Sequence, residues 1–486
     1  MTTAIKFGTD GWRAIIAEDF TFANVRALAA SIARYLSETG LGERGLVVGY
    51  DTRYASDRFA EAVAAVVAAS GTKVLLASAF APTPAISHAI VSRGAGGAVV
   101  VTSSHNPASW NGIKYKPEYA GSASPEVIAR LEVPLEEILG GGEPPQITLH
   151  DARARGLLES FDPRAPYLEG LAKQVDIGAI KAAGLRVAVD SMFGAGQGYT
   201  AELLAGGLST LTELHAEHNP LFPGLHAPEP IARNLGALSA LMHEGVLVTD
   251  ADPHTTPFDV GIATDGDADR LGVMDENGDF VTQLEVFALL AYYMLEVKGE
   301  RGPIVRSITT TRMVDRMGEA YGVPVYETAV GFKFLGPKMM ETDAILAGEE
   351  SGGYAFRGHI PERDGILAGL CFLDLLARTG KRPTELLEHL TERFGPHEYD
   401  RIDVELDAAA KARIQAAVEA ASPREIAGYA VTSRSTLDGY LYNLEGGGWL
   451  LIRFSGTEPL MRIYTEVPDK ARVPDVLAAG RALAGA

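Results

Sequence analysis

The chain has 486 residues and a mass of 51.6 kDa, which is too long for one hydrophobic core and predicts three or four domains. The apolar fraction of 47% is typical of a globular protein, and the net charge of −20 argues against a nucleic acid or an anionic membrane as partner. The single cysteine, Cys371, excludes an intrachain disulfide framework and fits a reducing cytoplasm.

Neither a targeting signal nor a membrane span is expected. The N-terminal residues contain no apolar signal core, and the longest apolar runs, 62–69 and 286–295, are too short to cross a bilayer. We therefore expect a cytoplasmic protein without a membrane partner. Cys371 lies in an apolar run and is expected to be a packed core thiol.

The first 150 residues alternate between predicted strands and helices. Strands are predicted at 46–50, 73–77 and 97–101, and helices at 56–70 and 84–92. This order is typical of a parallel sheet with right-handed crossovers. In such sheets, ligands bind beyond the carboxyl ends of the strands.

The third of these strands ends in a polar turn, Thr-Ser-Ser-His-Asn-Pro at 102–107. A hydroxyl nucleophile needs such a position, held by a rigid strand and next to a base or a cation. His105 is adjacent to Ser104, and Lys114 follows after a second turn signal. Ser104 is therefore a candidate nucleophile, with an ordinary surface turn as the alternative.

The second segment repeats the pattern of strand and loop. A strand at 185–189 leads into a Gly-rich loop at 190–198, which is expected to open a helix. Packing or turn requirements explain these glycines better than contact with phosphate. A later strand, 259–263, ends in Thr-Asp-Gly-Asp-Ala-Asp-Arg at 264–270.

Three carboxylates alternate along this last loop, on Asp265, Asp267 and Asp269. Carboxylates in this pattern converge on a hard divalent cation, and Mg²⁺ needs few protein ligands because it keeps water or substrate oxygens. The spacing also fits a calcium EF-hand, but Arg270 replaces the required glycine and the flanking segments are typical of strands. We reject the EF-hand and keep a solvated acidic turn as the alternative to a metal site.

The third segment predicts helices at 283–297 and 313–321 and strands at 304–308, 323–326 and 344–347.

A polar loop that contains Glu349 and Ser351 follows the last of these strands. A carboxylate and a hydroxyl two residues apart suit hydrogen bonding to vicinal sugar hydroxyls, and an ordinary turn is the alternative. Lys333 is placed on a separate loop, after Gly331 and Phe332.

The last hundred residues predict a small α+β domain with a phosphate-binding loop. Its predicted elements are strands at 400–406, 440–444, 449–454 and 460–466, a helix at 407–421 and a terminal helix from 473. Between two of the strands lie Arg453, Ser455, Gly456 and Thr457, with Arg462 nearby. Guanidinium, hydroxyl and backbone N–H donors suit a phosphate, and a hairpin with solvated charges is the alternative.

Taken together, these loops resemble those of the α-D-phosphohexomutase family, which includes phosphoglucomutase, phosphomannomutase and phosphoglucosamine mutase. The resemblance covers essentially the full length. The matching loops are Ser-His-Asn-Pro at 104–107 (phosphoserine), Asp-Gly-Asp-Ala-Asp-Arg at 265–270 (metal), Gly-Glu-Glu-Ser at 348–351 (sugar) and Arg-Phe-Ser-Gly-Thr-Glu-Pro at 453–459 (phosphate). Phe-Gly-Thr-Asp-Gly-Trp-Arg at 7–13 is similar to the motif whose arginine, here Arg13, faces the phosphoserine.

The resemblance implies three similar α/β domains with mixed, largely parallel sheets and a C-terminal α+β domain, arranged around a central cleft. The expected domains are 1–145, 146–275, 276–385 and 386–486.

The resemblance also implies a mechanism. Phosphate passes from phospho-Ser104 to a sugar phosphate, and the resulting hexose 1,6-bisphosphate turns over and returns its other phosphate. The implied catalytic residues are Ser104, His105, Lys114, Arg13 and Arg270, with Lys114 or His105 carrying the proton. The implied Mg²⁺ ligands are Ser104, Asp265, Asp267 and Asp269. The implied substrate-binding residues are Lys333, Glu349, Ser351, Arg453, Ser455, Gly456, Thr457 and Arg462.

Glucose phosphate is the favoured substrate, with mannose phosphate and glucosamine phosphate as alternatives. Hexose 1,6-bisphosphate is expected as activator, and the protein is expected to be a monomer or a homodimer. Ser103 precedes the nucleophile where the family often has alanine, and Gly352-Gly353-Tyr354 fits no single substrate subgroup.

The same loops leave two other classes of protein as alternatives. A metal-dependent serine phosphomonoesterase is disfavoured by the absence of a His-rich multi-zinc ligand set in the sequence. A non-catalytic sugar-phosphate-binding protein leaves the pairing of serine and metal loop unexplained.

Overall fold

The computed structural model describes residues 5–244, 258–454 and 460–485, which fold into four successive units with one main sheet each. The strands of the first sheet are Trp12–Ile15 (β1), Leu46–Tyr50 (β2), Val74–Ala77 (β3), Gly97–Val101 (β4), Trp110–Pro117 (β5) and Leu158–Phe161 (β6). Its helices are Phe22–Thr39 (α1), Ser56–Ala69 (α2), Thr83–Arg93 (α3), Pro125–Glu132 (α4), Leu135–Gly140 (α5) and Leu149–Ala154 (α6).

The first sheet has the order β1-β5-β4-β2-β3-β6. Strands β2, β3, β4 and β6 pair in parallel, whereas β5 runs antiparallel to both of its neighbours. Helices cover both faces, which is why the valines of β2 and β4 are all buried.

The second sheet has the strands Arg186–Asp190 (β7), Thr210–Leu214 (β8), Val260–Thr264 (β9), Leu271–Met274 (β10) and Phe280–Val281 (β11). Its helices are Arg164–Gln174 (α7), Ile177–Ala182 (α8), Tyr199–Leu204 (α9) and Gly236–Glu244 (α10). The strand order is β11-β10-β9-β7-β8, with β7 parallel to β8 and β9 and with β10 antiparallel to β9 and β11.

The third sheet has the strands Ile304–Ser307 (β12), Val325–Thr328 (β13), Leu346–Gly348 (β14) and Tyr354–Phe356 (β15), in the order β13-β12-β14-β15. Its helices are Gln283–Tyr292 (α11, continued by a π-helical turn at Tyr293–Val297), Met313–Tyr321 (α12), Phe332–Thr342 (α13), Gly365–Thr379 (α14) and Pro383–Phe394 (α15).

The fourth sheet is antiparallel throughout, with the order β16-β21-β20-β19-β18-β17. Its strands are Glu398–Glu405 (β16), Glu425–Ile426 (β17), Tyr429–Ser435 (β18), Tyr440–Leu444 (β19), Trp449–Phe454 (β20) and Leu460–Val467 (β21). Its helices are Ala408–Ala420 (α16) and Val473–Ala484 (α17). Short 3₁₀ turns lie at Leu41–Arg44, Ala232–Asn234, Glu445–Gly447 and Lys470–Arg472.

The predicted fold class is confirmed, with three mixed α/β units followed by an antiparallel α+β unit. The sheets nevertheless shift the expected boundaries between domains. Strand β6 pairs with β3, so the chain returns to the first sheet after residue 145, and β11 extends the second sheet past 275. The expected boundary at 385 falls inside α15, which packs on α11 and α12 of the third unit.

Lys333 was expected on a loop but lies in the first turn of α13, which Gly331 precedes. The helix is hard to predict from the sequence because it contains Pro337 and has no side-chain N-cap. Burial of Phe332 and Leu335 stabilises it instead.

The first three units share one hydrophobic core, which includes Ile86, Tyr167 and Phe287. Cys371 on α14 is buried in this core, as predicted, and burial raises the pKa of its thiol. The fourth unit has a core of its own and packs on the third through a small cluster that includes Ile308. Within the described ranges, no helix is both long and apolar enough to cross a membrane.

Candidate functional site

The serine loop leaves β4 as a tight turn that one buried arginine holds in place. Ser104 has a left-handed backbone with φ of 50°, a conformation that persists only where the surroundings enforce it. Arg53 donates from Nη2 to the carbonyl oxygens of Ser104 (2.7 Å) and Asn106 (2.6 Å). Its Nη1 donates to the carbonyl oxygens of Pro107 and Trp110. The side chain of Arg53 therefore fixes the conformation of the whole turn.

The two neighbouring serines point to different partners. Ser104 Oγ donates to Asp265 Oδ2 at 2.7 Å and lies 3.4 Å from His105 Nδ1. Ser103 Oγ instead donates to Asn106 Oδ1 at 3.2 Å, within its own turn. The hydroxyl of Ser104, and not that of Ser103, thus meets the carboxylate loop of the second unit.

The carboxylate loop is shaped by its first aspartate and by a close contact with the serine loop. Asp265 Oδ1 accepts hydrogen bonds from the N–H groups of Asp269 (2.9 Å) and Arg270 (3.1 Å), which closes the turn. A Cβ at Gly266 would lie 2.5 Å from the carbonyl oxygen of Ser104. Only glycine therefore allows the two loops to approach this closely.

The three predicted metal ligands converge. Asp265, Asp267 and Asp269 are fully buried, and each offers a ligand atom within 4.8 Å of the others. Asp267 Oδ2 accepts hydrogen bonds from Thr83 Oγ1 (2.5 Å) and Lys114 Nζ (2.8 Å). Among the described residues, none donates a hydrogen bond to Asp267 Oδ1 or Asp269 Oδ1. Buried anionic oxygens without donors fit a hard cation such as Mg²⁺.

Burial and mutual repulsion both disfavour the charged form of the first aspartate in this cluster. Burial, reinforced by Asp267 and Asp269, raises the pKa of Asp265 well above its usual range. A divalent cation would relieve this repulsion, so the electrostatics of the loop also fit a metal.

Lys114 compensates part of this negative charge. Its Nζ lies 3.0 Å from Asp10, 2.8 Å from Asp267 and 2.7 Å from Asp269. Although burial opposes the charged form, these three carboxylates raise the pKa of Lys114, so it stays protonated. Two of the three N–H donors of the ammonium form hydrogen bonds to Asp267 and Asp269, and Asp10 pairs with its charge.

The other predicted cationic residues lie around the same turn. Arg13 on β1 donates from Nη1 to Asn106 Oδ1 at 2.8 Å, and Arg270 Nη1 lies 3.4 Å from Glu229 Oε1. Burial, together with the charges of Arg270 and Arg13, lowers the pKa of His105 well below its ordinary value. The imidazole beside Ser104 is therefore neutral near pH 7.

The predicted sugar loop connects β14 to β15 and lies against the carboxylate loop. Ser351 Oγ donates to Glu349 Oε1 at 2.7 Å, and the same oxygen accepts from Arg363 Nη1 at 3.0 Å. The N–H of Leu271 donates to the carbonyl oxygen of Gly352 at 2.9 Å. The structure thus places Glu349 and Ser351 next to the loop that carries the three aspartates.

Lys333 sits where the third unit meets the first. A Cβ at Gly331 would lie 2.8 Å from Thr9 Cγ2, so the start of α13 packs on the N-terminal motif. The ammonium of Lys333 lies 5.4 Å from the ring centroid of Phe334.

The predicted phosphate loop is described only at its two ends. Arg453 Nε donates to Asp438 Oδ1 at 2.9 Å, and Asp438 Oδ2 accepts from the N–H of Val330, just before α13. Arg462 Nε lies 3.8 Å from a carboxylate oxygen of Asp403. The remaining predicted members lie outside the described residues: Ser455, Gly456 and Thr457.

Several residues of this region were not predicted. Arg53 organises the serine turn, and Asp10 and Arg363 join loops of different units through ion pairs. Lys116 is fully buried, with its Nζ 2.6 Å from Glu362. Asp10 belongs to a motif that the sequence does single out, whereas no spacing pattern marks the others.

Comparison with known proteins agrees with this arrangement. Models of the phosphoglucomutase/phosphomannomutase family match the chain in order: alpha/beta/alpha domain I at 4–139, domain II at 165–278, domain III at 284–394 and the C-terminal domain at 405–482.

Similar proteins match along nearly their whole length. A phosphoglucomutase/phosphomannomutase of Thermococcus kodakarensis is 30% identical over 98% of this chain and 97% of its own. A phosphoglucosamine mutase of Paracoccus denitrificans is 29% identical over 97% and 96%. A solved structure from Thermus thermophilus is 34% identical with a TM-score of 0.84, and the match covers 100% of both chains. The chain therefore belongs to the α-D-phosphohexomutase family of isomerase-type phosphotransferases.

Proposed function

We propose that this enzyme interconverts hexose 1-phosphate and hexose 6-phosphate, with glucose phosphate as its preferred substrate. The reaction would pass through phospho-Ser104 and a hexose 1,6-bisphosphate, which would also serve as activator. The observation that carries the proposal is the 2.7 Å hydrogen bond from Ser104 Oγ to Asp265 in a buried cluster of three carboxylates. A serine hydroxyl beside a prospective cation site suits reversible phosphorylation.

In the forward half of the reaction, a sugar hydroxyl attacks phosphorus and the bond between Ser104 Oγ and phosphorus breaks. The proton that the sugar hydroxyl loses is balanced by one that Ser104 Oγ takes up. In the return half, Ser104 Oγ attacks one phosphorus of the bisphosphate and the bond between that phosphorus and the sugar oxygen breaks. The sugar oxygen takes up a proton, and Ser104 Oγ loses its own. His105 Nδ1, 3.4 Å from Ser104 Oγ, is placed to accept that proton. Lys114 is paired with three carboxylates and stays protonated, so it instead contributes fixed positive charge.

The family depends on Mg²⁺, and in this chain Asp265, Asp267, Asp269 and the Ser104 oxygen would hold it. When bound, it neutralises charge on the transferring phosphoryl group. Arg13 and Arg270 add positive charge around the serine turn.

Glu349 and Ser351 would read the sugar hydroxyls. Glu349 Oε1 is already held by Ser351 and Arg363, whereas no described residue donates to Glu349 Oε2. That second oxygen is available to a sugar hydroxyl.

Replacing Glu349 by glutamine should lower kcat/KM by about 10- to 100-fold for every hexose phosphate, because a charge-assisted hydrogen bond contributes roughly 1.5–3 kcal/mol. Phosphorylation of Ser104 by glucose 1,6-bisphosphate should remain detectable. Glu341→Gln, at an exposed position of α13, is the control and should stay close to wild type. An unchanged kcat/KM in Glu349→Gln would contradict the assignment.

The phosphate that is not reacting would be held by a separate group of donors: Lys333, Arg453, Ser455, Gly456, Thr457 and Arg462. A mutase must bind its substrates in two orientations and retain a bisphosphate intermediate. In a chain with a net charge of −20, only local donors can retain such an anion.

Arg453→Ala should weaken the forward and reverse reactions alike and release more bisphosphate during turnover. Leakage of isotope-labelled bisphosphate, measured with kcat/KM in both directions, tests this expectation. Arg413→Ala removes an exposed arginine of α16 in the same unit and is the control. A loss confined to one direction would count against a shared phosphate grip.

The function itself is tested with glucose, mannose and glucosamine 1-phosphates and Mg²⁺, with catalytic bisphosphate as activator. The proposal predicts conversion to the 6-phosphate without net release of inorganic phosphate, fastest for glucose. A higher kcat/KM for mannose or glucosamine phosphate would reassign the substrate. Release of phosphate without isomerisation would indicate a serine phosphomonoesterase instead.

A further inference from the structure

Arg363 joins three of the four units at one buried point. Its side chain is 4% exposed. Nη2 pairs with Asp10 of the first unit and lies 3.0 Å from Asp269 Oδ2 of the second. Within the third unit, Nη1 lies 3.0 Å from Glu349 Oε1 and Nε 3.2 Å from Glu362 Oε1. A planar guanidinium suits such a junction because its donors point in fixed directions.

These contacts decide which oxygens of two carboxylates remain available. Arg363 and Lys114 hold Asp269 Oδ2, and no described residue donates to Asp269 Oδ1. In the same way Arg363 holds Glu349 Oε1 and leaves Glu349 Oε2 to a ligand. One side chain therefore orients a prospective metal ligand and a prospective sugar ligand together.

The backbone links the same two loops. Leu271, at the end of the carboxylate loop, donates its N–H to Gly352, and Gly365, at the start of α14, donates to the carbonyl oxygen of Ala268 (3.1 Å). The first bond joins the carboxylate loop to the sugar loop, and the second joins the carboxylate loop to the helix that begins two residues after Arg363.

Gly353 provides the space for the arginine. A Cβ at this position would lie 2.2 Å from Arg363 Cδ and 2.5 Å from its Cγ. A methyl group there would displace the side chain while leaving its charge in the protein.

We propose that Arg363 is a positioning residue that couples occupation of the metal loop to occupation of the sugar loop. This inference rests on the proposed function, because it takes the two loops to bind Mg²⁺ and a hexose phosphate. Each ligand fixes a carboxylate that Arg363 also holds, so each lowers the cost of ordering the other loop. By linkage, sugar phosphate should tighten Mg²⁺ binding by the same factor as Mg²⁺ tightens sugar binding.

The experiment measures that factor. Calorimetric titration of Mg²⁺ into the full-length enzyme, with and without saturating glucose 6-phosphate, gives two dissociation constants, corrected for Mg²⁺ bound by free sugar phosphate. The coupling ratio is the Mg²⁺ dissociation constant without glucose 6-phosphate divided by the constant with it. We expect a coupling ratio of at least about five for the wild-type enzyme, the lower end of typical coupling between sites. Arg363→Lys, which keeps the charge but loses the planar fork, and Gly353→Ala should bring the ratio to within about twofold of one.

The matched control is Arg306→Lys. Arg306 is a buried arginine of the third unit whose guanidinium pairs with Asp315 and Glu327, so this change removes a similar fork that holds neither Asp269 nor Glu349. Arg306→Lys should keep the coupling ratio of the wild-type enzyme. If the loss of any buried arginine fork reduced the coupling by loosening the protein, this variant would lose it as well. Should Arg363→Lys fail to fold, Gly353→Ala decides, because it retains the arginine.

A coupling ratio near one in the wild-type enzyme would overturn the proposal. An unchanged coupling ratio in Arg363→Lys or in Gly353→Ala would also overturn it. Interconversion of glucose 1-phosphate and 6-phosphate is assayed on the same wild-type preparation. Interconversion without coupling would refute only the inference about Arg363. Coupling without interconversion would refute the proposed function and leave the link between the two loops standing.

Discussion

Ser104→Ala is expected to abolish exchange between hexose 1-phosphate and hexose 6-phosphate. The change removes the hydroxyl of the serine turn that donates to Asp265 Oδ2 at 2.7 Å. After incubation of the wild-type enzyme with glucose 1,6-bisphosphate, intact-mass measurement and peptide mapping should place one phosphate on Ser104. The variant should carry none.

The neighbouring serine provides the control. Ser103 Oγ donates only within its own turn, to Asn106, and the loss of one neutral hydrogen bond is worth about 0.5–1.5 kcal/mol. Ser103→Ala should therefore keep most of the activity and the phosphate on Ser104. An inactive Ser103→Ala beside an active Ser104→Ala would reverse the assignment.

Asp267→Asn should lower Mg²⁺ affinity and turnover together, by at least about 100-fold in kcat/KM. Thr83 and Lys114 both donate to Asp267 Oδ2, so the amide of asparagine must place its oxygen there. Its NH₂ group then replaces Oδ1, and a hydrogen-bond donor stands where a metal ligand is expected. Equivalent changes at Asp265 and Asp269 should also weaken Mg²⁺ binding.

The measurements are calorimetric titration with Mg²⁺ and the dependence of kcat/KM on Mg²⁺ concentration. Asp275→Asn is the control, because Asp275 is a buried carboxylate of the same sheet that accepts hydrogen bonds from backbone N–H groups of its own turn. It should retain wild-type Mg²⁺ affinity. Full activity of the wild-type enzyme in excess chelator would show that the aspartate loop has no catalytic metal.

The parts of the site that could be predicted are those whose signal is local. Ser104 follows a continuous apolar strand, and Asp265, Asp267 and Asp269 alternate on one turn, so a few neighbouring residues reveal each loop. Each loop follows the carboxyl end of a parallel strand, where ligands bind in such sheets. Because β4 and β9 belong to different sheets, the convergence of the two loops depends on the packing of the first unit against the second, which no local signal reveals.

The residues that were not predicted act over long distances in sequence. Arg363 pairs with Asp10, which is 353 residues away, and Arg53 binds the carbonyl oxygen of Ser104, which is 51 away. Neither the composition nor the periodicity around Arg363 distinguishes it from a surface arginine. Strand β6 and helix α13 were missed for a related reason, because pairing with β3 and burial of Phe332 stabilise them more than their own sequence does.

The burial of Cys371 has a practical consequence for spectroscopy. It is the only cysteine of the chain, and a buried thiol with a raised pKa is a poor nucleophile toward maleimides. Cysteines introduced at exposed positions such as Val133 in the first unit and Leu437 in the fourth would be labelled selectively without removal of the native thiol. A pair of fluorophores at these two positions would then report the separation of the first and fourth units during turnover by energy transfer.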